Sequence, residues 1–338
     1  MSHAASFESW LYPGLAGLYC APGDFYVDPH KAVPRAVITH GHSDHARPGH
    51  HAVLATPETV AIMRLRLGEN AGSAIQSVGY GQRTNIGGVD VRLVPAGHVL
   101  GSAQVVLDWR GMRAVISGDY KRRADPTAAS FEVVRCDLFV TEATFALPVF
   151  RHEPDDREIE RLLSSLAINH DRVHLVGAYG LGKCQRLIAL LRGAGYTQTI
   201  YLHGALTKMC ELYETLGISL GSLAPVADVD RSDLGGSIVM APPSSLSDRW
   251  SRRLADPLTC FASGWMRVRG RARQRGVELP LVISDHADWP ELVATIRDTE
   301  AEEIWITHGR EDALAYQVEL MGKRGRALAL VGREDEDE

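Results

Sequence analysis

One short segment, Thr39–His45 with the sequence THGHSDH, limits what this chain can fold into more than any other. It places three imidazoles and one carboxylate within six residues, directly after an apolar run that is typical of a short buried strand. Such groups are costly in a core and unnecessary on a surface. On extended backbone, His40 and His42 project the same way and can chelate one ion, while Asp44 and His45 can face a second ion.

Three further polar residues follow other predicted strands. His98 comes after the alternating run at 89–95, Asp119 after residues 113–117, and His308 after residues 304–307. Together with the cluster they make a two-metal set, in which Asp119 bridges an ion held by the first group and an ion held by the second: His40, His42 and His98; Asp44, His45 and His308. Two divalent ions about 3.5–4 Å apart can activate water and clamp the oxygens of a phosphodiester. Histidine-rich ligation favours Zn²⁺, with Mn²⁺ as the alternative.

The chain changes its pattern near residue 150. Short strands with glycine-rich turns precede it, whereas a helix at 155–168, a strand at 173–177 and a helix at 183–191 follow in the order of a parallel sheet. Apolar strands that end in polar residues return near 281–283 and 304–307. We therefore expect one α/β domain from residues 1–150 and 276–333, a smaller α/β domain at 151–275, and an acidic tail at 334–338.

Charge and composition exclude several classes of protein. The net charge is −6, of which the five acidic residues at 334–338 carry five, so nucleic-acid binding needs a local basic patch. Eight arginines between Arg249 and Arg275 supply one, although a solvated charged helix is the alternative. There is no apolar run of membrane-spanning length and no signal peptide, and five scattered cysteines favour free thiols, so a cytoplasmic location is expected.

The motifs resemble those of a known family. Asp28, the 39–45 cluster, His98 and Asp119 look like the signature motifs of the metallo-β-lactamase fold, an αββα sandwich with metals at one edge of the paired sheets. Glu142, His286 and His308 resemble the three further motifs of the β-CASP nucleases, which carry an inserted α/β cap. The resemblance implies this sandwich, this cap and a metal-dependent nuclease.

Four segments look most like the bacterial ligase-associated DNA exonucleases: Gly17–Pro29, Tyr179–Arg186, Ser263–Arg267 and Ser284–Trp289. This implies hydrolysis of DNA, with single-stranded ends favoured, in a repair pathway that includes a DNA ligase and a helicase. His308 is a departure, because Artemis-like repair enzymes typically lack it whereas RNA-processing members keep it. An RNA-processing ribonuclease is therefore the main alternative. A lactonase or thioesterase is the second, although neither would need the insertion, the arginines or His286.

The resemblance also suggests roles for residues near the metals. Asp28 would orient the metal loop, and Asp44 counts both as a ligand and among the catalytic residues. His286 would be the general acid for the leaving oxygen, with Glu142 fixing its tautomer and keeping it protonated, although a structural histidine is the alternative. Predicted substrate contacts come from the inserted segment, where a plain strand-to-helix turn would also explain the first two: Gly182, Lys183, Ser263, Gly264 and Arg267.

Overall fold

The computed structural model describes residues 6–328, apart from the side chain of Arg231, and the predicted acidic tail at 334–338 lies outside this range. It is a mixed α/β protein that divides into two compact units. Of the described residues, the first unit contains residues 6–150 and 286–328, and the second is Arg151–Asp285.

The described residues form nineteen strands and seven α-helices. The strands are β1 (Leu11–Gly14), β2 (Gly17–Cys20), β3 (Phe25–Val27), β4 (Arg35–Val37), β5 (Ala52–Ala55), β6 (Ala74–Ser77), β7 (Arg83–Ile86), β8 (Val89–Pro95), β9 (Ala103–Trp109), β10 (Met112–Ile116), β11 (Leu138–Ala143), β12 (His174–Gly177), β13 (Ile200–Leu202), β14 (Leu223–Pro225), β15 (Ile238–Ala241), β16 (Leu258–Ala262), β17 (Leu279–Leu281), β18 (Glu303–Gly309) and β19 (Arg324–Ala327). The helices are α1 (Pro57–Leu67), α2 (Asp155–Ile168), α3 (Lys183–Gly193), α4 (Gly204–Thr215), α5 (Arg269–Gln274), α6 (Trp289–Asp298) and α7 (Glu311–Leu320).

The first unit contains two sheets. One has the strand order β1-β2-β3-β4-β5-β6, and the other has the order β19-β18-β11-β10-β9-β8-β7. Their buried faces share one hydrophobic core, to which Leu18 and Phe25 contribute from the first sheet and Val91, Leu107 and Ile116 from the second. The alternating run at 89–95 forms β8, as its period of two predicts, with Val89, Val91 and Leu93 buried.

Local sequence signals fix several helix ends. Thr56 caps α1, because its hydroxyl accepts a hydrogen bond from the amide of Thr59 at 3.2 Å, and Pro57 occupies the first turn. Asp288 caps α6 in the same way, accepting from the amide of Glu291 at 3.1 Å. The helix predicted at 155–168 is confirmed as α2.

The second unit contains one six-stranded sheet with the order β14-β13-β15-β12-β16-β17. Every pairing in it is parallel, as the alternation of helices and strands predicts. Residues 276–285, which the sequence assigns to the first domain, belong to this unit. The reason is that β17 pairs with β16, so the strand predicted at 281–283 lies at 279–281 and extends the parallel sheet.

None of the helices in the described part of the chain combines the length and the apolar character that crossing a membrane requires. The cysteines, all of which lie in that part, are free thiols.

Candidate metal centre and active site

The direction of the strands gathers the candidate ligands. β10, β11 and β18 run parallel, and β8 runs the same way because β9 is antiparallel to both β8 and β10. Their carboxyl ends therefore lie at one end of the sheet, where the chain places His98, Asp119, Glu142 and His308. In the other sheet, β3 and β4 are parallel and lead to Asp28 and to the 39–45 cluster.

The first group of candidate ligands is His40, His42, His98 and Asp119, whose ligand atoms all lie within 4.8 Å of one another. Nε2 of His40 and Nε2 of His98 are 3.1 Å and 3.0 Å from Nδ1 of His42. The carboxylate of Asp119 reaches the same point, with Oδ2 3.4 Å from Nε2 of His40. Three imidazole nitrogens and one carboxylate oxygen thus converge, which is a donor set suited to Zn²⁺ or a similar divalent ion.

The second group is Asp44, His45 and His308, again with ligand atoms within 4.8 Å. Nε2 of His45 lies 3.2 Å from Oδ2 of Asp44 and 3.3 Å from Oδ2 of Asp119. The same Asp119 oxygen therefore contacts both groups, which is the position that the sequence assigns to a bridging carboxylate.

The imidazoles of the two groups hold the buried carboxylates in the ionised form. Burial alone would raise the pKa of Asp119, but the adjacent His45 and His40 hold it well below the usual range. Asp44 behaves similarly, since His45 lowers its pKa despite burial. Burial opposes charge on His45, yet Asp119 and Asp44 raise its pKa well above the ordinary value, whereas burial lowers that of His40 well below it. Carboxylates that stay ionised at this depth need positive charge beside them, and divalent ions would supply it.

Asp28 contacts the 39–45 cluster and does not join either ligand group. Oδ2 of Asp28 lies 2.7 Å from Nδ1 of His45, which leaves Nε2 of that ring for the centre. The amide and the hydroxyl of Thr39 donate to Asp28 at 2.8 and 2.6 Å. A carboxylate that fixes the orientation of a histidine in this way is typical of metal sites.

His286 and Glu142 form a buried pair beside the metal groups. Nδ1 of His286 is 2.9 Å from Oε2 of Glu142, and the His286 ring centroid lies 4.7 Å from that of His98. Oε2 of Glu142 also accepts from the Thr144 hydroxyl at 2.6 Å, and Oε1 accepts from the Tyr120 amide at 2.7 Å. With Nδ1 engaged by the carboxylate, Nε2 is the ring nitrogen of His286 that can transfer a proton elsewhere.

The backbone near the site adopts conformations that are uncommon for residues with a side chain. Asp28 and His308 have φ angles of 44° and 63°, and both are candidate site residues. Gly118 precedes Asp119 with φ 56°, and a Cβ there would lie 2.8 Å from the Thr39 side chain. A glycine is therefore needed for the Asp119 turn to pack against the residue that supports Asp28.

The predicted substrate contacts lie in the second unit and differ among themselves. Lys183 is only 1% exposed, and its ammonium is 3.3 Å from Oδ2 of Asp285, so the two side chains form a buried ion pair. A substrate contact at Lys183 stays a prediction. The Gly182 amide donates to Oε1 of Gln185 at 2.9 Å. Ser263 and Gly264 are buried, whereas Arg267 is exposed.

The structure adds supporting residues that motif reading missed. Thr39 contacts Asp28 and also His40, with its hydroxyl 3.0 Å from Nδ1 of that ring. Thr144 links Glu142 to His286, and Arg123 holds Asp288, two residues after His286, at 3.0 Å. The sequence carried a weak signal for both threonines, since each lies within two residues of a predicted site residue.

Comparison with known proteins gives the following matches. No family model matches the sequence. A protein named probable DNA ligase from Opitutus terrae is 27% identical over 316 residues, covering 92% of this chain and 30% of that protein. Cleavage and polyadenylation specificity factor subunit 3-I of Arabidopsis thaliana is 24% identical over 390 residues, covering 91% and 56%. The endoribonuclease YSH1 of Gibberella zeae is 26% identical over 275 residues, covering 69% and 32%.

The chain spans between about a third and just over half of the length of these relatives, at 30%, 56% and 32%. Among solved structures, a protein of unknown function from Enterococcus faecalis superimposes with a TM-score of 0.55 at 14% identity, covering 80% of this chain and 74% of that chain. That likeness concerns the fold alone.

The mixed α/β fold and these relatives are consistent with a protein of the metallo-β-lactamase class. Within it, the chain is related to the β-CASP nucleases and to bacterial ligase-associated proteins, which confirms the resemblance drawn from the motifs.

Proposed function

We propose that the chain is a two-metal phosphodiesterase that hydrolyses DNA, as an exonuclease on single-stranded ends in DNA repair. The observation that carries this proposal is the position of Asp119. Its Oδ2 is 3.4 Å from His40 in the first ligand group and 3.3 Å from His45 in the second. One carboxylate between two largely buried, histidine-rich groups suits a bridged two-metal centre.

The two ions would be Zn²⁺ or Mn²⁺, held by seven side chains: His40, His42, His98, Asp119, Asp44, His45 and His308. When bound, such ions supply Lewis-acid activation of water and neutralise charge on a phosphodiester. The sandwich of two sheets and the inserted cap, implied by the family resemblance, complete the proposed architecture.

His286 gives up a proton to the departing oxygen of the phosphodiester. Glu142 accepts from Nδ1 of His286, which keeps the imidazole charged and aims Nε2 away from the carboxylate. Asp28 keeps the His45 ring in the orientation that directs Nε2 to the centre.

Two observations support DNA as the substrate. The match to the protein named probable DNA ligase covers 92% of this chain. In the second unit, seven of the eight arginines between 249 and 275 are exposed, which suits binding to a phosphate backbone: Arg249, Arg252, Arg253, Arg267, Arg269, Arg273 and Arg275. We also propose that a DNA ligase and a helicase act in the same pathway.

RNA cleavage is the second candidate function. Two of the relatives are named for RNA processing or as an endoribonuclease, and the chain retains His308, which lies in the second ligand group. Both candidates use the same centre, so only the sugar of the substrate separates them.

The decisive experiment uses end-labelled single-stranded DNA and RNA of one sequence, with Zn²⁺, Mn²⁺ or Mg²⁺ added to metal-free protein. We expect stepwise shortening of DNA from an end, slower loss of RNA, and resistance of circular single strands. Asp119→Asn should bind fewer than two ions by elemental analysis and lose activity, because the shared carboxylate is weakened.

The alternatives give different results. Equal or faster degradation of RNA would favour the ribonuclease, and rapid nicking of circles would indicate an endonuclease. Full activity in excess chelator would refute the metal mechanism. Hydrolysis of lactones or thioesters with no cleavage of either nucleic acid would refute the nuclease proposal.

A further inference from the structure

A cavity of about 660 Å³ lies in the second unit, outside every residue group discussed above as a catalytic or metal site. Two stretches of the chain line it, and both contribute individual residues: Val226, Ala227, Val229, Asp230 and Ser232 from the first, and Trp250, Arg253 and Leu254 from the second, after the strand β15. Its volume falls in the range of about 300–1,000 Å³ that is usual for small-molecule sites.

The apolar residues that line the cavity pack against the hydrophobic core of the second unit. Val226 and Val229 pack against the core cluster that contains Leu254, and so does Trp250. The Trp250 indole also meets the His203 ring edge to face, with centroids 4.6 Å apart and planes at 82°. Trp250 is half-buried, so its ring is held in place while part of it lines the cavity. A fixed and partly accessible indole is a stacking surface for a planar ring.

Charged groups of both signs line the same cavity. Arg253 and Asp230 are exposed, and no ion pair joins either of them to another side chain in the part of the chain that the structure describes. Ser232 is nearby, with its hydroxyl donating to Asp233 at 3.2 Å. A guanidinium suits a phosphate, and a carboxylate suits an amino group that donates hydrogen bonds.

We propose that this cavity binds one nucleoside monophosphate unit, with its base on Trp250, its phosphate at Arg253 and an exocyclic amino group of the base donating to Asp230. Aromatic stacking, a guanidinium and an acceptor together match the three parts of a nucleotide that carries an amino group. The neighbouring Arg249 and Arg252 are also exposed, so a nucleic-acid strand that continues beyond the bound nucleotide would meet further positive charge. The inference rests on the proposed function, because the bound nucleotide would be part of a nucleic-acid substrate.

The test measures binding without cleavage. Anisotropy of labelled DNA oligonucleotides is followed at fixed salt in chelator, with the parent protein and with Trp250→Leu. Leucine retains apolar contacts but offers no ring, so affinity should fall about 5-fold to 100-fold. On a strand of the same length with abasic sites, the two proteins should bind alike, which a merely structural role of Trp250 would not produce.

Two further variants examine the polar groups. Arg253→Gln should weaken binding of AMP or of a short oligonucleotide more than Arg252→Gln does, since these adjacent arginines are equally exposed but only Arg253 lines the cavity. Asp230→Asn should reduce the preference for adenine or cytosine strands over thymine strands. Competition by AMP at micromolar concentration would identify free nucleotides as a source, and competition by oligonucleotides alone would identify a strand.

The outcomes separate this inference from the proposed function. If the parent binds and cleaves DNA while Trp250→Leu and Asp230→Asn bind every strand as the parent does, the cavity proposal is wrong and the nuclease proposal stands. If the parent neither binds nor cleaves any nucleic acid, the nuclease proposal fails. If Trp250→Leu lowers the Tm, the test uses two other variants instead: Trp250→Phe, which retains a stacking ring, and Asp230→Asn.

Discussion

The buried pair of Glu142 and His286 gives the sharpest prediction, because a single change from oxygen to nitrogen alters its chemistry. In Glu142→Gln, Oε1 can still accept from the Tyr120 amide, which is 2.7 Å away. The other atom becomes an NH₂ group, which donates only, at the place where Oε2 lies 2.9 Å from Nδ1 of His286. The imidazole must then turn its lone pair at Nδ1 towards the amide and lose the charged form.

The expected loss follows from that contact. A hydrogen bond to a charged group contributes about 1.5–3 kcal/mol, and about 1.4 kcal/mol corresponds to a factor of ten, so loss of this bond lowers the population of the charged imidazolium roughly 10- to 150-fold. General acid catalysis as a whole contributes roughly 10²–10⁴-fold. We therefore expect Glu142→Gln to reduce turnover about 100-fold and His286→Ala to reduce it by up to about 10⁴-fold.

Single-turnover cleavage of DNA is the measurement, with metal content and DNA affinity determined on the same samples. Both variants should keep metal and affinity. A substrate in which sulfur replaces the leaving oxygen should restore much of the lost rate, because a thiolate departs without a proton. Thr144→Val is the matched control, since it removes a hydroxyl 3.4 Å from His286 and should cost only about tenfold or less.

Three results would refute this reasoning. Unchanged turnover in Glu142→Gln would show that the carboxylate does not set the state of the imidazole. Loss of metal from His286→Ala would make His286 a ligand. Absence of sulfur rescue in a metal-loaded variant would exclude the acid role and favour binding of the scissile phosphate by His286.

Three further predictions concern supporting residues. Thr39→Val should weaken metal binding about 10- to 100-fold in chelator competition, because the hydroxyl that donates to Asp28 at 2.6 Å is lost, and unchanged affinity would contradict this role. Lys183→Met should lower the free energy of unfolding, measured in urea, by about 1–3 kcal/mol. This is less than the cost of a fully broken buried ion pair, because Arg186 still contacts Asp285. A fall in DNA affinity without a fall in stability would favour a substrate contact instead. Burial lowers the pKa of His174, so the stability that this residue contributes is full above about pH 6.5 and is lost on acidification. His174→Gln should therefore reduce the fall in unfolding free energy between pH 7 and pH 5, by at most about 1.4 kcal/mol per pH unit. Identical pH profiles of the two proteins would refute this.

The sequence predicts the convergence of the candidate ligands best where the pattern is local. His40 and His42 are two residues apart on backbone that follows a strand, and their nitrogens meet at 3.1 Å. His98 and Asp119 could also be predicted, because polar residues after apolar strands gather at one end of a sheet when the strands run the same way. The motif resemblance placed Glu142 and His286 near them, at a sequence separation that no local pattern can bridge.

The sequence does not determine a residue's environment where distant tertiary partners decide it. The segment before Lys183 has glycines and a helix start, as an anion site does, yet the ammonium is buried against Asp285, about a hundred residues away. Nothing between residues 276 and 285 distinguishes a strand of the parallel sheet from one of the first unit, because both are short apolar runs. In each case the outcome depends on a distant partner that spacing does not reveal.

The same dependence explains why the metal groups are supported by unusual backbone. Asp28 has φ 44° and His308 has φ 63°, conformations that cost energy for residues with a side chain. Asp28 is not itself a candidate ligand, because its carboxylate oxygens contact Thr39 and His45. We infer that the strained backbone of Asp28 serves to position the His45 ring, at some cost in local stability. The fold therefore sets the geometry of the candidate ligands in advance, so that ions binding there would not have to reorganise the two buried carboxylates, Asp44 and Asp119, or their histidines.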